Sequence, residues 1–441
     1  MSMRSVGVVA LCLGLALSAC GEDEAGDDAA DSGAGGAPVG GAPVGGAPVG
    51  GTPVGGGPGP ALPDGCDALL APSDDDQTAL QTALIEAEVG STLCLAEGTF
   101  RLVSEASLTV DGVRVKGAGR ELTILDFSAQ DVGANGVIVR GNGVTFEALT
   151  VKNTPGDGIR ADDVDGITFL NVAVLWDAQG STENGAYGLY PVNSANVLID
   201  GCLVQGARDA GIYVGQSSRI VVRNSEASGN VAGIEIENST DAEVHDNYAH
   251  DNSGGILVFN LPELPVQDGA RAKVHRNRVE NNNAPNFGAA GTTVANVPPG
   301  TGILVVASDN NEFHDNTVTG NVSGAMMIIS YIDALLGEYE DPDFDKFPVG
   351  NWVHDNTFDN NGTDPQGALG ALGLPVPLPD LMWDGCLENP ADAMDAARRN
   401  CFSNNTGADY IDFKWCENLM GPVTDLETVN CTHTPLPGQD L

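Results

Sequence analysis

Arg160, Tyr190, Tyr213 and Glu235 stand 30, 23 and 22 residues apart, and each is the second residue after the Gly of a repeated phrase. Asp162, Glu237 and Phe259 are the fourth residue after such a Gly, and Leu257 is again the second after it. A guanidinium pairs a carboxylate, a phenol or carboxyl moves a proton, and flat Tyr and Arg surfaces stack on sugar rings. Stacked over one another, the phrases would put these groups in one row suited to a carboxylated saccharide. Arg160 would pair the carboxylate, Tyr213 and Tyr190 would serve, in either order, as base and acid, and Glu235 would tune them. Asp162, Glu237, Phe259 and Leu257 would contact the substrate. Without turnover, the same row is a sugar-binding platform.

The phrase itself sets the fold. Gly136-Val-Ile-Val, Gly158-Ile-Arg-Ala, Gly188-Leu-Tyr-Pro, Gly211-Ile-Tyr-Val, Gly233-Ile-Glu-Ile, Gly255-Ile-Leu-Val and Gly302-Ile-Leu-Val recur about every 22 residues, with insertions in the longer gaps, and Ala325-Met-Met-Ile opens one more. A unit that short holds two or three strands, and its alternation marks strands with one buried face. The units are therefore coils of an all-β, right-handed parallel β-helix. Along each strand the first and third residues after Gly point inward, and the second and fourth point outward. The first outward column reads Ile138, Arg160, Tyr190, Tyr213, Glu235, Leu257, Leu304 and Met327; the second reads Arg140, Asp162, Val192, Gly215, Glu237, Phe259, Val306 and Ile329. Insertions at Trp176 to Ala186, Leu261 to Ala272 and Ile332 to Gly350 would wall this face and shield its apolar members.

A second phrase fixes the register: Val222-Arg-Asn224, Val244-His-Asp-Asn247, Val274-His-Arg-Asn277, Phe313-His-Asp-Asn316 and Val353-His-Asp-Asn356. Its apolar residues should form an inward column. Asn224, Asn247, Asn277, Asn316 and Asn356 should form a structural ladder at a turn, where Asn accepts left-handed angles and bonds to the Asn above. His245, His275, His314 and His354 would then stack in an outward column. They are the candidate metal ligands, but a solvated polar ladder is the expected state of such an outward column and is the preferred reading, with no metal. Glu338-Tyr-Glu-Asp-Pro-Asp-Phe-Asp345 has carboxylates enough for Ca²⁺, but its spacing departs from the EF-hand loop and reads as a solvated acidic segment. The sequence thus calls for no cofactor.

The ends carry other instructions. Arg4 precedes an uncharged run from Ser5 to Ala19, too short for a membrane span, and residues 1–19 read as an export signal. Leu17-Ser-Ala-Cys20 resembles the bacterial lipobox, which implies a mature chain beginning at a lipidated Cys20. Residues 20–63, acidic and then repeating Gly-Gly-Ala-Pro-Val, have no periodicity that could build a core and read as a disordered tether with a span of roughly 35–40 Å. Residues 64–380 are assigned to the β-helix and 381–441 to a Cys-rich cap. At the start of the solenoid, Asp74-Asp-Asp76 followed by Leu80, Ala83, Leu84 and Ala87 predicts a capping helix with an Asp N-cap.

Cys386, Cys401, Cys416 and Cys431 stand at equal steps of 15 residues, which predicts two disulfides in any of three pairings. Cys66 and Cys94 would staple the other end, and Cys202, at an inward place, reads as a buried thiol. No Cys-x-x-Cys occurs, which excludes a zinc ribbon or c-type haem. With 61 acidic against 19 basic residues and a net charge of −42, nucleic acid is excluded as a partner.

The helical cap followed by Gly-Ile/Leu-x-Val coils, from about Asp76 to Gly367, resembles the pectate-lyase-like superfamily of right-handed parallel β-helices. More narrowly, Asn184-Gly-Ala-Tyr-Gly-Leu-Tyr-Pro-Val192, Asp209-Ala-Gly-Ile-Tyr-Val-Gly-Gln-Ser217, Gly229 to Asn238 and Gly254 to Pro262 are similar to a family of exported bacterial β-helix repeat proteins with no settled activity. The resemblance implies contact with carbohydrate without fixing a reaction. Asn153-Thr-Pro-Gly-Asp157 and Asp162-Asp163 faintly resemble polygalacturonase carboxylates, but the Gly-His-Gly element is missing and the acids share one coil, which argues against paired-carboxylate hydrolysis.

The reading is an exported monomer, lipid-anchored to a bacterial membrane (the outer membrane or cell surface before others), that binds a polysaccharide on the loop-walled face. The enzymatic alternative is a polyuronate lyase or C5-epimerase using the same residues. A structural or adhesion protein is the third class.

Overall fold

The structure, a computed structural model, describes residues 62–441 apart from 418 and 420. The signal, Cys20 and all but the last two residues of the tether lie outside the described residues. Three parallel sheets of 12, 11 and 10 strands share the chain in rotation, so that each strand pairs with its equivalents one coil before and one coil after. Parallel strands joined by crossovers in this way wind right-handed. The apolar column is as the repeat predicts: Val222, Val244, Val274, Phe313 and Val353 are aligned coil by coil and completely buried.

The base is closed by the predicted helix, α1 (Asp76–Glu86). Asp75 accepts from the Thr78 amide at 3.1 Å as its N-cap, and Leu80 and Leu84 face the first coil. The buried Asp76 carboxylate holds the amides of Ser73 at 2.6 Å and Arg101 at 2.7 Å, which stitches the helix to the strand beside it.

The Asn ladder is real, but its first rung is one residue away from the predicted place. Asn247, Asn277, Asn316, Asn356 and also Asn405 run in line, each side-chain oxygen accepting from the amide of the Asn one coil below. At the lower end Ser225 holds this place and donates its amide to Asn247. Asn224 instead shares an exposed left-handed position, φ 51°, with Asp246, Arg276, Asp315 and Asp355. The ladder Asn residues do not occupy the left-handed slot; the residue before each of them does. Two further ladders, Asn230-Asn252-Asn282-Asn321-Asn361 and Asn311-Asn351-Asn400, bond in the same way.

Disulfides join Cys66 to Cys94, Cys386 to Cys416 and Cys401 to Cys431, and Cys202 is a buried free thiol. Such bonds persist in oxidising compartments, which marks an exported chain. Among the described residues no helix is long and apolar enough to cross a membrane. The segment from 381 continues the stack before closing it. Strands Leu381–Trp383, Cys401–Ser403 and Tyr410–Asp412 extend two of the sheets, and the turn Leu426–Val429 packs Val429 against the last coil.

Beyond Cys431 the chain turns back down the outer wall. The Leu436 amide donates to Glu312 and the Gln439 amide to Glu243, both at 2.7 Å, while Lys273 donates to the Leu436 carbonyl at 2.9 Å. This strap corrects the picture of a solvated His ladder. The rings of His245, His275, His314 and His354 do stack, with centroids 5.0, 4.7 and 5.1 Å apart and nearly parallel planes. Yet the His275 and His354 side chains are only 4 % and 11 % exposed, because the carboxylates under the strap also bind them, Glu243 to His275 at 2.9 Å and Glu312 to His354 at 3.1 Å. Burial, foremost, holds His275 down to about 4, so it is neutral near pH 7. Rings laid face to face do not converge their nitrogens on one point, and among the described residues no group of three His, Cys, Asp or Glu is placed to hold a metal. In the acidic loop, Asp341 is occupied by the Glu263 amide at 2.8 Å and by Gln267.

Candidate functional site

The 11-stranded sheet aligns the predicted row. Ile138, Arg160 and Tyr190 are partners in consecutive coils, and so are Tyr213, Glu235, Leu257, Leu304 and Met327; the two runs meet where Leu189 pairs with Ile212. The row points out of the solenoid, but from Tyr213 upward it does not face solvent. Tyr213 is 4 % exposed, Glu235 3 %, Leu257 0 % and Phe259 2 %, because insertions fold over them. Leu257 and Phe259 thus belong to a second apolar cluster, with Val294, Val297, Leu304, Met327 and Phe344, and do not form an exposed contact surface. The cover comes from more segments than predicted. The 261–272 and 332–350 insertions are tied together through Glu263 and Asp341, and residues 283–300 and 360–380 close the upper part.

The open rim is formed by Arg160 and Asp162, with side chains 33 % and 22 % exposed, and by the half-buried rings of Tyr187 and Tyr190. The Arg160 guanidinium lies 5.1 Å from the centre of the Tyr190 ring and 3.2 Å from Asp162, and its Nε is buried with no partner. Tyr187, Tyr190 and Tyr213 form a cluster with centroids 4.4 to 5.0 Å apart. Tyr213 folds back along its own strand over Gly215, where any Cβ would overlap the ring, and so brings its hydroxyl to Glu237 at 2.7 Å.

Three groups here were not among the predicted site residues: Asp157, Tyr187 and Asp209. Asp157 and Tyr187 sit just before the Gly of their phrases and Asp209 two residues before, all ahead of the strands that begin at Ile159, Leu189 and Ala210, where the strand alternation does not say which way a side chain points.

Behind the rim the carboxyls are crowded and dry. Burial raises Asp157 to about 6 despite the nearby Arg160 charge, and burial together with the Glu237 charge raises Asp209 to about 7. Glu237 rises to about 7 through burial, although the Tyr213 hydroxyl bond favours its anion. Glu235 is pushed well above the usual range by burial and then by Asp209 and Glu237, and one of its oxygens has no partner. Burial also raises all three phenols, Tyr190 to about 12, which keeps them protonated. That direction opposes a Tyr general base. The groups tuned toward neutral pH are the carboxyls, and these are the ones able to exchange a proton there.

Residues 111–262 and 183–335 match the family described as right handed beta helix region, a little over half the chain in all, and the protein belongs to that family. Among solved structures, the A-module of mannuronan C-5 epimerase AlgE4 from Azotobacter vinelandii is 16 % identical, with TM-score 0.51 over 78 % of this chain and 92 % of that one. A hyperthermoactive exopolygalacturonase from Thermotoga maritima is 11 % identical, with TM-score 0.52 over 78 % and 87 %. At such identities the likeness is one of fold. No curated protein matches the chain in sequence.

Proposed function

We propose that the protein binds a polysaccharide at the rim formed by Arg160, Asp162, Tyr187 and Tyr190, with uronate-bearing glycans as the preferred class. The observation that carries this reading is Arg160. Its guanidinium is stacked on an aromatic face at the edge of a row of outward side chains, and it keeps one buried nitrogen that no protein atom satisfies. A buried donor without a partner is costly, and an incoming carboxylate or hydroxyl would remove that cost. The two structural neighbours, by their names an epimerase acting on mannuronan and an exopolygalacturonase, support the substrate class.

The catalytic reading, a lyase or C5-epimerase, is favoured by one further observation: Asp157, Asp209 and Glu237 are all raised into the range where a carboxyl donates and accepts protons near neutral pH. Tyr190 would then act as a hydrogen-bond donor at the rim, while the Tyr213 hydroxyl stays bound to Glu237. A glycan array probed with the purified chain, followed by product analysis of every bound polymer, separates the readings. Binding without product supports the platform, new unsaturated or epimerised sugars support the enzyme, and no bound glycan leaves the adhesion class.

The tether belongs to the same proposal. Lipidation at Cys20 would hold the solenoid off a bacterial membrane, with residues 20–63 as spacer. An intact-mass measurement of the membrane-extracted protein should give a chain starting at Cys20 and carrying acyl groups. A mature chain beginning elsewhere, or bare at Cys20, contradicts the anchor.

A further inference from the structure

The same outward face changes character four coils above Arg160. There a cavity of about 560 Å³ is lined by Phe259, Leu304, Met327 and Ile329 from the sheet and by Met382 and Phe413 from the last coils. Its outer wall is built from the insertions, including α2 (Asp333–Leu336) and α3 (Gly367–Ala371). The volume falls within the roughly 300–1,000 Å³ of ligand pockets.

The lining chooses the chemistry. Its one charged residue is Asp384, which is 2 % exposed and already accepts from the amides of Ser330 at 2.8 Å and Cys386 at 3.1 Å. The Asn286 amide group is spent on the carbonyls of Val294 and Val297. No Lys or Arg lines the space, and the protein around it carries a net charge of −42, so an anionic headgroup is disfavoured. Thr293, Asn296 and Trp415 are the other polar side chains of the lining, too few to replace the hydration that a sugar's hydroxyls would lose there. A dry void of this size would forfeit the packing contacts of its whole lining, which an alkyl chain restores. We infer that this cavity is a binding site for a neutral aliphatic chain, such as a long-chain alcohol or an uncharged acyl group. The site is distinct from the rim at Arg160 and does not depend on the polysaccharide reading.

The test uses the full chain with Cys20→Ser, so that no attached acyl group competes, and N-phenyl-1-naphthylamine, an uncharged dye that brightens in apolar surroundings. Titration should give saturable one-to-one binding that 1-dodecanol displaces. Dodecanoate should compete at least tenfold less well. Ile329→Trp, which fills the cavity from the sheet, and Ala368→Trp, which fills it from the helical wall, should each weaken dye binding at least tenfold with the thermal melt unchanged. Ala368 is exposed at the mouth, so its variant reports even if Ile329→Trp misfolds. A non-saturable signal would overturn the inference, as would undiminished binding in a folded Ala368→Trp. Equal competition by dodecanoate would overturn the assignment to a neutral ligand.

Discussion

Glu237→Gln should make the protein more stable at pH 8, by about 2–3 kcal/mol, and should flatten its loss of stability between pH 6 and pH 8. A carboxyl raised in the folded state holds its proton more tightly there than in the unfolded chain. Its favourable contribution is therefore complete below the unfolded value near 4.5 and drains away as the pH climbs through the folded value of about 7. Asp209, raised to about 7, and Asp157, raised to about 6, act in the same direction. The depressed His275 acts oppositely, adding stability as pH rises from about 4 to its ordinary 6.5, but it is present in both proteins, so the difference between wild type and variant isolates Glu237. Gln keeps an oxygen for the Tyr213 hydroxyl but cannot ionise. Melts of both proteins at pH 6, 7 and 8 make the comparison. An unchanged slope, or a variant less stable at pH 8, would show that Glu237 is hydrated and that the dry acidic cluster does not exist.

Asn277→Leu should cost about 3–5 kcal/mol in a denaturant melt. Its side-chain oxygen accepts the amide and the side-chain NH₂ of Asn247 at 3.0 Å each, and its own NH₂ reaches the Val244 carbonyl at 2.9 Å and Asn316 at 3.0 Å. Asn277 is 1 % exposed, so no water replaces what Leu removes. Asn224→Ala provides the contrast. Asn224 is exposed and bonds only Asp200, so its loss should cost about 1 kcal/mol, chiefly for placing Ala at a left-handed angle. Similar costs at the two positions would mean that the ladder begins at Asn224 and that the stacking is shifted by one residue.

The architecture was legible because a solenoid writes its period into the chain. Each Gly and the Ile or Leu after it must meet the same neighbours in every coil, so the strand register at Arg160, Tyr190, Tyr213 and Glu235 follows from counting. What the repeat does not encode is what lies on top of it. The insertions at 283–300 and 360–380 have no periodicity, and nothing local announces that they bury Leu257 and Phe259. The strap that holds Glu243 against His275 comes from Gln439, more than 150 residues away in sequence from either. The misplaced Asn224 has a different cause. Val222-Arg-Asn and Val244-His-Asp-Asn differ in length by one residue, so in register Asn224 lies opposite Asp246, and Ser225 does the work of Asn.

The tuning of the carboxyls was equally out of reach, since it depends on how completely water is excluded around Asp157, Asp209, Glu235 and Glu237. Residue types and spacing named two of these four acids. The three-dimensional cover turned a predicted outward row into a solvent-facing rim at Arg160 with a buried interior behind it, whose carboxyls are raised toward neutral pH.

The most direct test of the account is a calorimetric titration of the wild-type chain and of Arg160→Ala with the tightest-binding uronate oligosaccharide from the array. The account predicts saturable binding by the wild type and at least tenfold weaker binding by the variant, with both proteins melting at the same temperature. Equal affinity of the two proteins, or no binding by the folded wild type to any uronate-bearing glycan, would contradict it.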